Sequence, residues 1–182
     1  MRDGKPIELR EGQSLKIVTD VAIEGDNQKV ACTYKRIAQT VRVGSTIFIG
    51  GANTCEITET GDDFIIVKVM NNFAMKDRMK INLPGAVIDL PTLTDKDEDD
   101  IVEFGLKNNV DFVAASFVRK ASDVEFVRNV LGQKGADVKI ISKIETHEGL
   151  HDFDEILAES DGILISRSDL SLELPPEKLF IA

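Results

Sequence analysis

Three apolar runs dominate the second half of this sequence, and each is followed by charged and polar residues. They are Val110 to Phe117, Val138 to Ile144 and Gly162 to Ile165. Continuous runs of this length fit strands buried on both faces. Between them the period changes. Val124, Val127, Val130 and Leu131 recur at helical spacing, with a helix end at Gly135, and so do Leu150, Phe153, Ile156 and Leu157. Thr94 with Asp97 predicts a helix start running through Ile101 and Phe104, and Ser122 with Glu125 predicts a second capping box. Pro175-Pro176 predicts the start of one more helix. Strands alternating with helices imply a parallel sheet joined by right-handed crossovers. Three βα units result, and the residues leave open whether they form an open sheet or part of a barrel. No Gly-rich phosphate loop follows the first strand, which weakens a dinucleotide-binding reading.

Residues 7–80 follow a different rule. Ile7-Glu8-Leu9, Ser14 to Thr19, Val41 to Val43, Thr46 to Ile49, Cys55 to Thr58 and Phe64 to Val69 read as short strands. Glu11-Gly12-Gln13, Gly50-Gly51 and Gly61-Asp62-Asp63 supply turns between them. Strands at this spacing predict a small all-β barrel or sandwich. Leu83-Pro84-Gly85 and Leu90-Pro91 punctuate the junction between the two patterns.

Charge divides at the same place. Residues 1–90 carry 12 basic and 12 acidic side chains, whereas residues 91–182 carry 10 and 20. A net charge of −10 argues against nucleic acid or an anionic membrane as partner, because both need clustered Lys and Arg. No run approaches 18 apolar residues, and Met1-Arg2-Asp3-Gly4-Lys5-Pro6 lacks the apolar core of a signal peptide. Cys32 and Cys55 have no metal-ligand spacing and read as reduced thiols. With 182 residues, the chain is too short for a complete (β/α)₈ barrel, which needs roughly 200–250.

In parallel α/β sheets ligands bind past the C-terminal strand ends. Here those ends supply Ser116-Phe117-Val118-Arg119-Lys120, Ser142-Lys143-Ile144-Glu145 and Ser166-Arg167-Ser168-Asp169. In strand conformation Lys143 and Glu145 share a face, roughly 6.5–7 Å apart at Cα. Two carboxylates with an ammonium beside them suit a hard divalent cation holding an anionic substrate. An ordinary salt-bridge cluster at the strand ends explains the same spacing.

These segments resemble pyruvate kinase. Asn82-Leu83-Pro84-Gly85, Asp89-Leu90-Pro91, Ser116-Phe117-Val118-Arg119-Lys120, Ser142-Lys143-Ile144-Glu145 and Arg167-Ser168-Asp169-Leu170 stand in that family's order and spacing. The resemblance implies an α/β chain with a small all-β barrel, the lid domain, over residues 1–82. An incomplete TIM (β/α)₈ barrel segment of about three βα units would occupy residues 83–182. It implies transfer of a phosphoryl group from phosphoenolpyruvate to ADP, giving pyruvate and ATP in glycolysis in the cytoplasm. Mg²⁺ or Mn²⁺ is the implied cofactor, with K⁺ held by ligands missing from this sequence. Lys143 matches the catalytic lysine, which also binds substrate. Glu145 and Asp169 match the divalent-metal ligands, and Ser168 and Asp169 match the site of the substrate carboxylate. Ser116 and Arg119 fall in a motif near the pocket and receive no role.

Four departures stand out. Where the family has Ala-Arg-Gly-Asp-Leu-Gly, this chain has Ser166-Arg167-Ser168-Asp169-Leu170-Ser171. A serine at a glycine that needs φ > 0 costs about 1 kcal/mol. Gly50-Gly51-Ala52-Asn53 replaces an acidic pair followed by glycine, and Thr146 replaces an asparagine. The resemblance also places barrel strands before and after this sequence, with further substrate and proton-transfer groups. The expectation is therefore a truncated chain, inactive alone, for which the family's homotetramer is not expected. The alternatives are a non-catalytic metal-binding or interaction paralogue that associates with the intact enzyme, and an incomplete reading of a longer gene.

Overall fold

A computed structural model describes residues 4–181. The Met1-Arg2-Asp3 part of the N-terminal signal-peptide reading lies outside those residues. Contacts divide the chain into two compact units, one ending at Asp89 and one beginning at Leu90.

The first unit is built mainly from short strands. They are β1 (Ile7–Leu9), β2 (Ser14–Val18), β3 (Lys29–Ala31), β4 (Thr46–Ile49), β5 (Asn53–Thr60), β6 (Phe64–Val69), β7 (Phe73–Met75) and β8 (Ile81–Asn82). A six-stranded sheet runs β3-β2-β6-β5-β4-β8, and β1 pairs with β7 separately. Alternation sets the register. Leu15 and Ile17 on β2 face inward opposite Val67 and Ile65 on the antiparallel β6. The turn before β6 closes with Gly61 N–H donating to the Phe64 carbonyl at 2.8 Å. A register shift between Ile57 and Glu59 marks an irregularity in β5.

The sequence reading missed β3, β7 and β8, which have only two or three residues each and show no measurable alternation. It placed a strand at Val41–Val43. There the chain instead leaves a four-residue helix, α1 (Ile37–Thr40), and Val43 is exposed. Leu83 is buried in this unit's core, so the chain beyond Asn82 still packs with the strands. Cys32 and Cys55 are free thiols, and burial pushes Cys55 up to about 11, which keeps it protonated and unreactive.

The second unit carries a parallel sheet of order β11-β10-β9, built from β9 (Phe112–Ala115), β10 (Lys139–Ile144) and β11 (Gly162–Ile165). Helices α3 (Ala121–Leu131), α4 (His147–His151), α5 (Phe153–Glu159) and α6 (Arg167–Glu173) follow the strands, and α2 (Asp95–Asp99) precedes them. Ala115, Ile140 and Ile144 pack with Val124, Val127, Leu131 and Ile156 from α3 and α5. Among the described residues no helix is long and apolar enough to cross a membrane.

Four expectations need correction here. The Val110–Phe117 run yields only the four-residue β9, and Phe112 on it is 64% exposed. The second unit's helices pack on one face of its sheet, so the run is not buried on both. The capping box at Ser122 is absent, because Lys120 is the N-cap and Ser122 lies inside α3. That helix ends at Leu131 rather than Gly135, since Gly132 takes φ +56° and breaks the turn. Residues 176–181 after Pro175 form turns, not a helix. The box at Thr94 does form. Thr94 Oγ1 accepts from Asp97 N–H, while Thr94 N–H donates to Asp97 Oδ2 at 2.8 Å. Beyond α2 the backbone loosens into a π-helical stretch, Asp100–Gly105.

Candidate functional site

The parallel register brings the strand ends together. Ser142 on β10 stands beside Ala115 on β9, so one step further Ser116 meets Lys143. Lys143 Nζ donates to Ser116 Oγ at 2.8 Å and lies 2.7 Å from Glu145 Oε1. Glu145 is only 2% exposed. A buried carboxylate needs its charge and lone pairs met. Lys143 meets one oxygen, and Phe117 N–H donates to the other at 3.2 Å. Phe117 reaches that carboxylate with φ +56°, a left-handed conformation that a bulky residue adopts at a cost of about 1–3 kcal/mol.

Past β11, Asp169 lies in the first turn of α6 and accepts a 2.6 Å bond from Ser166 Oγ. Ser168 is exposed in the same turn, and Ser171 Oγ donates to its carbonyl at 2.8 Å. Among the described residues the non-glycine positive-φ positions are Arg78, Asn109 and Phe117, so Ser168 carries no left-handed strain. Replacing the family's glycine is thus conformationally free at this position. Thr146, where the family has asparagine, serves as N-cap of α4 by accepting from Gly149 N–H at 3.1 Å. In the first unit Gly50 and Gly51 take φ +61° and +98° in the turn between β4 and β5, and no carboxylate stands there.

The sequence reading singled out Lys143, Glu145, Ser168 and Asp169. The structure pairs the first two directly and seats the other two on α6. No group of three His, Cys, Asp or Glu side chains among the described residues forms a ready metal cluster. Two carboxylates remain the candidate set. Their hard oxygen donors suit Mg²⁺ or Mn²⁺, which fills its other positions with water and phosphate oxygens. Sequence reasoning gave no role to Ser116, although its hydroxyl holds Lys143. It also missed Asp123, whose carboxylate accepts from Arg119 N–H at 2.9 Å and from Thr92 Oγ1 at 2.7 Å. An Asp three residues beyond the N-cap was the available signal, masked by the more familiar Ser-x-x-Glu pattern beside it.

The first unit has a cleft of its own, about 560 Å³, lined by residues that include Arg36, Arg42, Thr46, Pro84 and Asp89. Arg36 and Asp89 form an ion pair across it.

Parallel βα units with the Lys143–Glu145 pair past the end of the central strand are the arrangement in which α/β enzymes place their sites. The sequence matches the family described as pyruvate kinase, barrel domain, over residues 1–182, and the chain belongs to the pyruvate kinase family. It is 48% identical over 179 residues to a pyruvate kinase of Eimeria tenella, covering 98% of this chain and 34% of that protein. It is 41% identical over 186 residues to a cytosolic pyruvate kinase isozyme of Solanum tuberosum, covering 100% of this chain and 36% of that one. A crystal structure of a pyruvate kinase from Cryptosporidium parvum superposes with a TM-score of 0.88 at 45% identity, over 98% of this chain and 38% of that chain. The chain spans about a third of the length of the relatives it matches.

Proposed function

We propose that this chain carries part of the phosphoryl-transfer centre of a pyruvate kinase, acting on phosphoenolpyruvate and ADP to give pyruvate and ATP. One observation carries the reading: Lys143 Nζ lies 2.7 Å from the buried Glu145 at the end of the central parallel strand. An ammonium held there can stabilise negative charge developing on an enolate or phosphoryl oxygen. Lys143 is accordingly the proposed catalytic and substrate-binding residue. Glu145 and Asp169 are the proposed ligands of Mg²⁺ or Mn²⁺, and such a cation, when bound, neutralises charge on phosphate oxygens. Ser168 and Asp169 are proposed to face the substrate carboxylate at the start of α6. The resemblance puts the K⁺ ligands outside this sequence.

The β-rich unit corresponds, in this reading, to the family's lid domain, and the α/β unit to the middle of its TIM barrel. Relatives from potato and soybean are cytosolic isozymes, which supports a cytoplasmic setting. The test combines ligand-observed NMR of phosphoenolpyruvate with a pyruvate-coupled assay containing Mg²⁺, K⁺ and ADP. The expected result is Mg²⁺-dependent binding that Lys143→Met abolishes. Any turnover the coupled assay reads is expected to fall to background in Lys143→Met. Binding unaffected by Lys143→Met and Glu145→Gln contradicts the reading.

A further inference from the structure

We propose that Asp123 is a positioning residue for the Lys143–Glu145 pair, acting through the loop Ser116–Arg119, against which Gly149 also packs. The inference rests on the reading of that pair as the functional centre, and it assigns the loop behind it a task of its own.

The loop delivers two bonds to the pair. Ser116 Oγ receives Lys143 Nζ, and Phe117 N–H donates to Glu145 Oε2. Phe117 does so from a left-handed backbone, which its own residue type disfavours. Such a conformation persists only where surrounding contacts over-determine it. Two contacts do this.

The first is Asp123, which is 2% exposed. Its Oδ2 accepts from Arg119 N–H at 2.9 Å and lies 3.7 Å from Arg119 Nε, while its Oδ1 accepts from Thr92 Oγ1 at 2.7 Å. The Arg119 guanidinium also donates to the Leu90 carbonyl at 2.8 Å. Both ends of the carboxylate are thereby spent on holding the loop's exit and the chain entering this unit. The second contact is a close approach. A Cβ on Gly149 would stand 2.6 Å from the Val118 carbonyl oxygen, inside any tolerable separation. The first turn of α4 therefore backs directly onto the loop, and only glycine lets it sit that near.

These two contacts hold the loop with Phe117 N–H aimed at Glu145. Releasing Asp123 lets Phe117 relax toward an ordinary φ, which withdraws the N–H from the carboxylate. Adding a methyl at Gly149 pushes the Val118 carbonyl and moves the neighbouring Phe117 N–H. Two changes on different elements thus converge on one reporter.

Isotope-labelled full chain tests this by amide hydrogen exchange at Phe117 and by the Glu145 carboxyl carbon resonance. Asp123→Asn cannot accept at both oxygens, and it is expected to speed exchange at Phe117 by about tenfold or more and to move the Glu145 resonance. Gly149→Ala is expected to do the same, with the amides of Val127 and Ile140 unchanged in both variants. If Asp123→Asn does not fold, Thr92→Val carries the test, because it removes one bond to the carboxylate and leaves the charge. Unchanged Phe117 exchange and an unmoved Glu145 resonance in folded variants overturn the proposal. A Mg²⁺ titration on the same resonance separates the two readings. Apparent affinity about tenfold weaker in Asp123→Asn supports the proposal. If the wild-type chain shows no Mg²⁺-induced change, the metal reading fails, and the exchange result still decides the role of Asp123.

Discussion

In the β-rich unit Leu15, Ile17, Ile47, Ile57, Ile65 and Val67 are wholly or almost wholly shielded from solvent. In the α/β unit Ile140, Ile144 and Ile156 are equally shielded, but on the sheet Phe112 on β9 is 64% exposed and Leu164 on β11 is 42% exposed. Both units bury apolar side chains by strand alternation, but only the first encloses a core with its own sheets and short helix. The second packs helices against one face of its parallel sheet. The strand parity that leaves Phe112 and Leu164 open also carries Lys143. Lys143 therefore projects from the less covered side, whereas Glu145, past the end of the same strand, is buried.

The widest gap is expected from matched truncations. Ile17→Ala removes a fully buried side chain and should cost about 2–5 kcal/mol in urea unfolding of the β-rich unit. Leu164→Ala on the open face should cost about 0.5 kcal/mol or less. Equal costs would break the comparison. Next comes Lys143→Met, which leaves Glu145 buried without its ammonium. Removing one partner of a buried pair costs roughly 3–5 kcal/mol, and the quarter-exposed Lys143 should bring this to about 2 kcal/mol. Adding Glu145→Gln should recover most of that loss, which a double-mutant cycle measures. Smaller still, Thr94→Ala should remove about 1 kcal/mol from the α/β unit by unmaking its capping box. Thermal melts that show the loss in the β-rich transition instead would contradict the division.

The gentlest probe is pH. The Ile140 N–H bond holds the Asp161 carboxyl below its ordinary range, with help from Arg128 and Lys139, against partial desolvation. The fold thus favours its ionised form. That contribution is fully present above the unfolded value of about 3.9 and is lost as pH falls through the lower folded value. Acid below about pH 4 should therefore weaken the α/β unit, and Asp161→Asn should flatten that part of its pH profile. Acid titration followed at β10 amides checks the difference.

Much of the second unit was legible because its signals are long. β10 and β11 were visible as apolar runs with polar ends, and period two placed Lys143 and Glu145 on one face. The family motifs added Asp169. What escaped was set by tertiary packing. Two or three residues at β3, β7 and β8 cannot show a period. Ser122 with Glu125 has the right spacing for a cap, yet the helix begins at Ala121, so Asp123 takes the bonds instead. Nothing in Phe117 announces a left-handed backbone. The bond it makes is to Glu145, 28 residues further on, and no local pattern signals it.

The proposal stands or falls on whether Glu145 and Asp169, with the Lys143 that pairs with Glu145, hold a divalent cation and phosphate. Mn²⁺ binding to the chain, read by electron paramagnetic resonance with and without phosphoenolpyruvate, tests it most directly. One site is expected, tightened by phosphoenolpyruvate and weakened about tenfold or more by Glu145→Gln or Asp169→Asn. Binding that is absent, or that survives both substitutions unchanged, contradicts the account.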